Sequence, residues 1–322
     1  MNYLLGGHII SIQVSETSQT ASALGIESSL FLDYILPSFI PFKSDDVPSD
    51  AKPLMSLTIV DNLKEIKDAH LIRDVDTGNG MTRVDRLPSG GYQFLVRDIS
   101  GFPCALLQTS TQFSDCKVAI RGSLSTMRFA LNNALMLSYA FSSAYYDTLL
   151  IHASVVRHDG LSYAFTAKSG TGKSTQVANW LRNIPNCDLV NDDNPIIRIE
   201  YDGNETPRAI LYGSPWSGKT PCYRNIRTPL AAIVMIKRDD HNEMIPQSPL
   251  EAFITVLSAC SAMKWDTELY SRVCKTCSLF VENIQVLSAI KHAQLSGTLP
   301  GMNPAFTGRT EKLLREKRYL IL

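Results

Sequence analysis

Nowhere in the 322 residues does an apolar run reach the ~18 residues that a membrane-crossing helix needs. The opening stretch, MNYLLGGHIISIQV, has no Lys or Arg ahead of its apolar residues and no cleavage-like end, so a signal peptide is not expected. Charge of one sign is also missing: 31 Lys and Arg balance 31 Asp and Glu, and the pI is near 7. A nucleic-acid or membrane-surface partner usually leaves a basic stripe or tail, and neither is expected here. The densest basic patch, residues 315–320 (REKRYL), reads as a solvated terminal face.

Cysteine is sparse and irregular. Seven residues, Cys104, Cys116, Cys187, Cys222, Cys260, Cys274 and Cys277, make an odd set without regular spacing, which excludes a disulfide framework and points to a reducing, cytoplasmic compartment. Cys274 and Cys277 have the spacing of a metal or redox pair, but no second pair or His cluster accompanies them, and four ligands are the usual requirement. There is no internal repeat and no low-complexity tract.

What the chain does contain is 44% hydrophobic residues over a length that favours two domains. Residues 1–122 read as β-rich, with strands expected over 7–14, 55–60, 92–96, 104–108 and 117–121 and turns at 44–48, 77–80 and 88–91. No chemical constellation stands out there, and His8 and His70 read as ordinary surface or core histidines. A domain boundary is expected near 121–125, with residues 123–322 forming an α/β domain. Leu131, Leu135 and Tyr139 predict a helix over 125–145, and a hairpin follows: strand 149–156, turn 158–160, strand 161–166. A helix over 174–183, a short buried strand over 187–190, two strands around Asp202-Gly-Asn204 and an apolar strand over 230–236 come next. Ser248-Pro-Leu-Glu251 combines an N-cap, a first-turn proline and a capping-box glutamate, and Asp266 caps a further helix.

The segment Tyr163-Ala-Phe-Thr-Ala-Lys-Ser-Gly-Thr-Gly-Lys-Ser-Thr175 is the most informative in the chain. A strand ends, a loop with two glycines follows, and Lys173 and Ser174 open an amphipathic helix. Gly170 and Gly172 permit backbone conformations that turn successive N–H groups toward one point. The helix N-terminus adds partial positive charge at the same place. Lys173 can reach the β- and γ-phosphates of a bound nucleotide, and the Ser174 hydroxyl can ligate Mg²⁺. Ala167 stands where the usual pattern begins with glycine.

A second stretch, Gly213-Ser-Pro-Trp-Ser-Gly-Lys-Thr220, matches the bare phosphate-loop spacing more closely but makes a worse cradle. Pro215 removes a donor, Trp216 is bulky, and no helical periodicity follows. It reads either as an active-site loop, with Lys219 facing substrate or phosphate, or as an ordinary surface loop.

Cys187-Asp-Leu-Val-Asn-Asp-Asp193 is a short strand ending in two carboxylates about 20 residues beyond the loop lysine. Beside a phosphate loop, one carboxylate can hold Mg²⁺ and a second can take the proton of an attacking hydroxyl. Two adjacent acids repel each other unless a cation sits between them. His152, inside an apolar strand, needs a polar partner there.

His152-Ala-Ser-Val-Val, Ala167-Lys-Ser-Gly-Thr-Gly-Lys-Ser174 and Leu189-Val-Asn-Asp-Asp193 together resemble the catalytic core of HPr kinase/phosphorylase. The loop is also similar to that of ATP-dependent phosphoenolpyruvate carboxykinase. The resemblance covers roughly residues 149–199. It implies a P-loop kinase core of that type under a β-rich N-terminal domain, with ATP and Mg²⁺ as cofactors and self-association. It also implies roles: Ser169, Gly170, Thr171, Gly172, Lys173, Ser174 and Thr175 on the nucleotide phosphates, Ser174 on the Mg²⁺, Asp192 as general base on the acceptor hydroxyl, and Asp193 and His152 behind it, with Asp193 near the metal. The Glu-Arg-Gly segment that follows the acids in HPr kinases is absent, and residues 1–120 do not resemble that enzyme's regulatory domain, which implies an acceptor other than HPr. A peptide or small-protein serine, a small molecule such as a free amino acid, and a non-catalytic ATP-sensing module all remain open. Carboxykinase activity is disfavoured by the chain's length and the lack of a transition-metal ligand set.

Overall fold

The computed structural model describes residues 1–292, apart from positions 17, 28, 49, 169, 240 and 242. The basic patch at 315–320 lies outside the described residues. The chain divides into two compact units, Met1–Tyr146 and Asp147–Leu322. Among the described residues, no helix is long and apolar enough to cross a membrane.

The first unit opens with β1 (Asn2–Leu5) and β2 (His8–Val14), followed by two short helices, α1 (Thr20–Ala23) and α2 (Phe31–Ile35), and a 3-10 turn over Pro37–Phe42. Then come β3 (Met55–Ile59), β4 (His70–Asp76), β5 (Gly80–Arg86), β6 (Tyr92–Asp98), β7 (Pro103–Thr109), β8 (Asp115–Ile120) and the helix α3 (Leu124–Ser143). The eight strands form one sheet in the order β1-β2-β3-β8-β7-β6-β5-β4. The expected strands are present with their ends shifted by a few residues, and the turn at 77–80 closes the β4–β5 hairpin.

The expected helix is α3, held at its start by the Ser123 side chain accepting from the Thr126 N–H. It packs on β3, β6, β7 and β8, so it belongs to the first unit, and the units part at 146/147 rather than at 122/123. The physical reason is its apolar face. Phe141 lies tilted against Phe113 at 5.2 Å between ring centroids, and Phe113 stacks on Tyr92 at 5.5 Å. These rings bury against this sheet and make α3 part of its core.

The second unit contains β9 (Thr148–Leu150), β10 (Ser154–His158), β11 (Leu161–Thr166), α4 (Lys173–Asn183), β12 (Cys187–Asn191), β13 (Ile196–Tyr201) and β14 (Pro207–Tyr212). It continues with β15 (Arg227–Asp239), β16 (Glu243–Pro246), α5 (Pro249–Ala259), α6 (Thr267–Asn283) and β17 (Gln285–His292). Its sheet runs β12-β10-β11-β15-β14-β13-β9, with β17 beside β15 and β16 beside β17. Only β11–β15 and β15–β17 pair in parallel, and the remaining pairs are antiparallel, so the domain is mixed α/β.

The strand expected over 149–156 is interrupted. Residues 151–153 leave the ladder between β9 and β10, and the end of α5 with the residues just after it holds them there: the His152 N–H donates to the Ala259 carbonyl at 2.7 Å, and the Ser261 N–H donates to the Leu150 carbonyl at 3.0 Å. On the other side, the Ala153 N–H donates to the Asp193 carbonyl at 2.9 Å.

Helix α4 seals one face of this sheet. Trp180, fully buried, sits 5.1 Å from the Tyr163 ring and 5.4 Å from that of Phe165, in a core with Val156, Val177, Val234 and Leu287. The helix ends at Ile184, which is extended at φ −111 and ψ 119, because Pro185 follows and disfavours a helical predecessor. The capping box at Ser248 and Glu251 and the Asp266 cap open α5 and α6 as expected.

Candidate active site

The β11–α4 connection has the backbone of an anion cradle. Gly170 and Gly172 have φ of +75 and +114, conformations that a Cβ would strain. Gly172 is the N-cap of α4, whose first-turn amides have no acceptor within the helix and point back toward the loop. Ser174 and Thr175 are exposed at that end, and Lys173 is partly buried. Ser169, the remaining expected phosphate ligand, lies outside the described residues.

The cradle's outer side is braced from the parallel neighbour strand. Arg238, near the end of β15, donates from Nη2 to the Gly170 carbonyl at 2.8 Å and from Nε to the Thr171 carbonyl at 3.3 Å. Carbonyls that take up a guanidinium on the outside leave the amides facing inward. No local pattern in the chain announces this arginine, which only the β11–β15 pairing brings to the loop.

Three sequence-predicted residues meet beside the cradle. Nζ of Lys173 contacts Nε2 of His152, and Nδ1 of His152 lies 3.0 Å from Oδ1 of Asp193. An ammonium can only donate, which assigns Nε2 as acceptor and places the imidazole proton on Nδ1, toward the carboxylate. Burial pushes the Lys173 ammonium below the ordinary lysine range, while Asp193 and Asp192 pull the other way. Lys173 is thus the cation that both adjacent acids feel. His152 has the polar partners that its sequence position called for, but it does not lie inside a continuous strand. Its side chain is 53% exposed, because it sits in the β9–β10 interruption and projects out of the ladder.

The two acids differ in setting. Asp192 is nearly enclosed, with Oδ1 accepting from the Ser154 hydroxyl at 3.0 Å and Oδ2 from the Thr220 N–H at 3.2 Å. Asp193 is more open, and its Oδ2 accepts from Asn194 Nδ2 at 2.8 Å. Each carboxylate oxygen keeps a second lone pair for another donor. Asn191 ties Asp193 to the 213–220 loop. Its Oδ1 receives the Asp193 N–H at 2.9 Å, while its Nδ2 donates to Ser214 Oγ at 3.1 Å and to the Trp216 carbonyl at 3.2 Å.

Those last bonds decide the status of the 213–220 loop. It is not an ordinary surface loop, because buried Ser214 and Trp216 lock it onto the acidic strand end. No role of their own was legible in the sequence for Ser154 and Asn191, although Asn191 opens the Asn191–Asp193 stretch expected to build the site and Ser154 lies two residues beyond His152.

No family model and no curated protein matches the chain. Among solved structures, the Hpr(Ser) kinase/phosphatase from Coxiella burnetii is similar over 53% of this chain and 93% of that one, at 12% identity and a TM-score of 0.28. The functional reading therefore stands on the residues of the site.

Proposed function

We propose that the chain is an ATP-dependent kinase that transfers the γ-phosphate to a hydroxyl, with serine in a peptide or small protein as the leading acceptor. The observation that carries this reading is the convergence of Lys173, His152 and Asp193 in one contact chain beside a strand–loop–helix cradle, with Asp192 next to them. Phosphoryl transfer asks the protein for positioning and charge neutralisation more than for covalent chemistry. The loop amides and Lys173 would hold the nucleotide phosphates. The Ser174 hydroxyl and the Asp193 carboxylate are hard oxygen donors of the kind Mg²⁺ takes, one or two from protein and the rest from phosphate and water. Asp192, held in place by Ser154 and the Thr220 amide, would accept the proton of the attacking hydroxyl. His152 would orient Asp193 and share the proton load.

The test is transfer from γ-labelled ATP with Mg²⁺ into a host-cell extract, comparing wild type with Lys173→Ala and Asp192→Asn. Label appearing in a peptide, protein or metabolite, and lost in both variants, supports a kinase. Tight ATP binding without labelled product, unchanged in Asp192→Asn, would overturn the catalytic assignment in favour of an ATP sensor.

A further inference from the structure

The 213–220 loop carries a lysine, Lys219, to which the kinase reading above gives no role. β12 is an edge strand, so from the cradle outward the order is the end of β11, then β10 with Ser154, then the acids at the end of β12. The chain from Gly213 onward runs along the free edge of β12. Arg224 donates from Nη1 to the Leu189 carbonyl, and the Cys222 thiol lies 3.4 Å from the Val190 carbonyl. The loop therefore stands on the side of the acids away from the phosphate cradle.

Lys219 is placed there by both of its neighbours. The Thr220 N–H donates to Asp192, and Gly218 lies so close that a Cβ built on it would be 3.1 Å from the Asp192 carbonyl and 3.3 Å from the Asp193 Cβ. The loop is fastened by Asn191, by Ser214 Oγ donating to the Asn194 carbonyl at 2.5 Å, and by Ser217 Oγ donating to the Thr220 carbonyl at 2.7 Å. Yet the Lys219 side chain is exposed and, among the described residues, has no hydrogen-bond or ion-pair partner, although two carboxylates lie next to its flanking backbone. A fixed loop that holds an unpaired ammonium at the rim of two acids is built to receive a negative group from outside.

Resting on the kinase reading above, we propose that Lys219 is a specificity-determining residue that binds a carboxylate of the phosphate acceptor. The acceptor is then an anionic hydroxyl compound, with its carboxylate close to the hydroxyl. That carboxylate belongs either to a free hydroxy amino acid or to an acidic side chain beside a serine in a peptide. In both cases, pairing with the ammonium offsets the repulsion that the acceptor's own charge meets at Asp192 and Asp193.

The experiment uses the full chain with Mg²⁺ and four acceptors: L-serine, L-serine amide, and two serine heptapeptides that differ only in Asp or Lys beside the serine. Acceptor KM is measured with γ-labelled ATP, and acceptor affinity is measured separately by titration into protein holding a non-hydrolysable ATP analogue. In wild type the carboxylate-bearing member of one pair should bind about tenfold more tightly than its partner, the range of one charge-assisted contact. The pair that discriminates identifies the source. Lys219→Met should abolish that preference without changing affinity for the ATP analogue, and Lys219→Glu should shift it toward the Lys peptide or the amide.

Transfer to charged and neutral acceptors alike, or a Lys219→Met variant that loses ATP affinity while keeping its acceptor preference, overturns this inference and leaves the kinase reading standing. Binding and transfer of none of the four, with label appearing in no component of a cell extract, overturns both.

Discussion

Arg238 donates to the carbonyl of Gly170 at 2.8 Å and braces the phosphate loop from the strand next to it. The contact is exposed, so its removal should be felt in the loop rather than in the fold. Arg238→Ala is expected to weaken nucleotide binding several-fold while thermal melting of the free protein stays within about 2 °C of wild type. Titration with a fluorescent ATP analogue alongside a melting curve checks it, and equal affinity in both proteins would leave the brace without a role.

Asp192 and Asp193 should respond differently to the same conservative change. An amide in place of the enclosed Asp192 can keep its oxygen on the Thr220 N–H and turn its NH2 to Ser154 Oγ, but the buried Ser154 hydroxyl then loses the acceptor it donates to. Asp192→Asn is expected to lose transfer and also about 1–3 kcal/mol of stability, the range for an unsatisfied buried polar group. Asp193→Asn, at the more open position, should lose transfer at nearly unchanged stability. Urea unfolding of both variants separates the two cases.

The clamp between β10 and β12 should show in acid. Burial raises the Asp188 carboxyl, but hydrogen bonds from Arg157 and Arg224 more than offset it and hold the group below the usual carboxylate range. The Arg157 contacts are 3.0 and 2.7 Å, and Arg224 Nη1 lies at 2.8 Å. A lowered folded-state pKa means that the stabilisation is complete above the unfolded value of about 3.9 and is lost as pH falls through the folded one. The partners are more than a third exposed, so the effect should stay under about 1 kcal/mol. Between about pH 5 and pH 3, Asp188→Asn should therefore lose stability less steeply than wild type in urea midpoints.

Gly213 begins the loop with no room for a side chain. A Cβ there would fall 1.9 Å from the Arg224 carbonyl, so backbone must move. Gly213→Ala is expected to cost about 1–3 kcal/mol, as overpacking does, and to raise acceptor KM more than ATP KM because the displaced loop carries Lys219. Equal effects on both substrates would argue that the loop serves the fold alone.

Trp180→Ala should be the most destabilising of these changes, at about 3–5 kcal/mol for a buried aromatic. The indole fills the space between α4 and β11 that keeps the helix N-terminus at the cradle. Chemical denaturation measures it.

Much of the site was legible because it is local. Strand, loop glycines, Lys173 and helix follow one another in the chain, and the acid pair ends a strand that its own apolar residues announce. The rest depends on pairings between distant segments. Ser154 matters because β10 and β12 are neighbours, and Arg238 because β15 lies parallel to β11. The β4–β5 hairpin was unread for a different reason: its strands, HLIRDVD and GMTRVDR, are rich in charged residues and β4 is a largely exposed edge, so little apolar alternation marks them. The apolar residues before His152 suggested one continuous strand, because nothing in them encodes the interruption, which the end of α5 imposes from outside.

That interruption ties the imidazole to a helix end far along the chain. The His152 amide hangs on the Ala259 carbonyl, so the last turn of α5 sets where the ring stands relative to Lys173 and Asp193. The Cys260 thiol turns to the Val256 carbonyl and to Cys277, yet a proline or a one-residue deletion at 259–261 would misplace the histidine as surely as replacing it. A survey of loss-of-function changes in this protein would accordingly cluster in two places in the chain that are a single place in space.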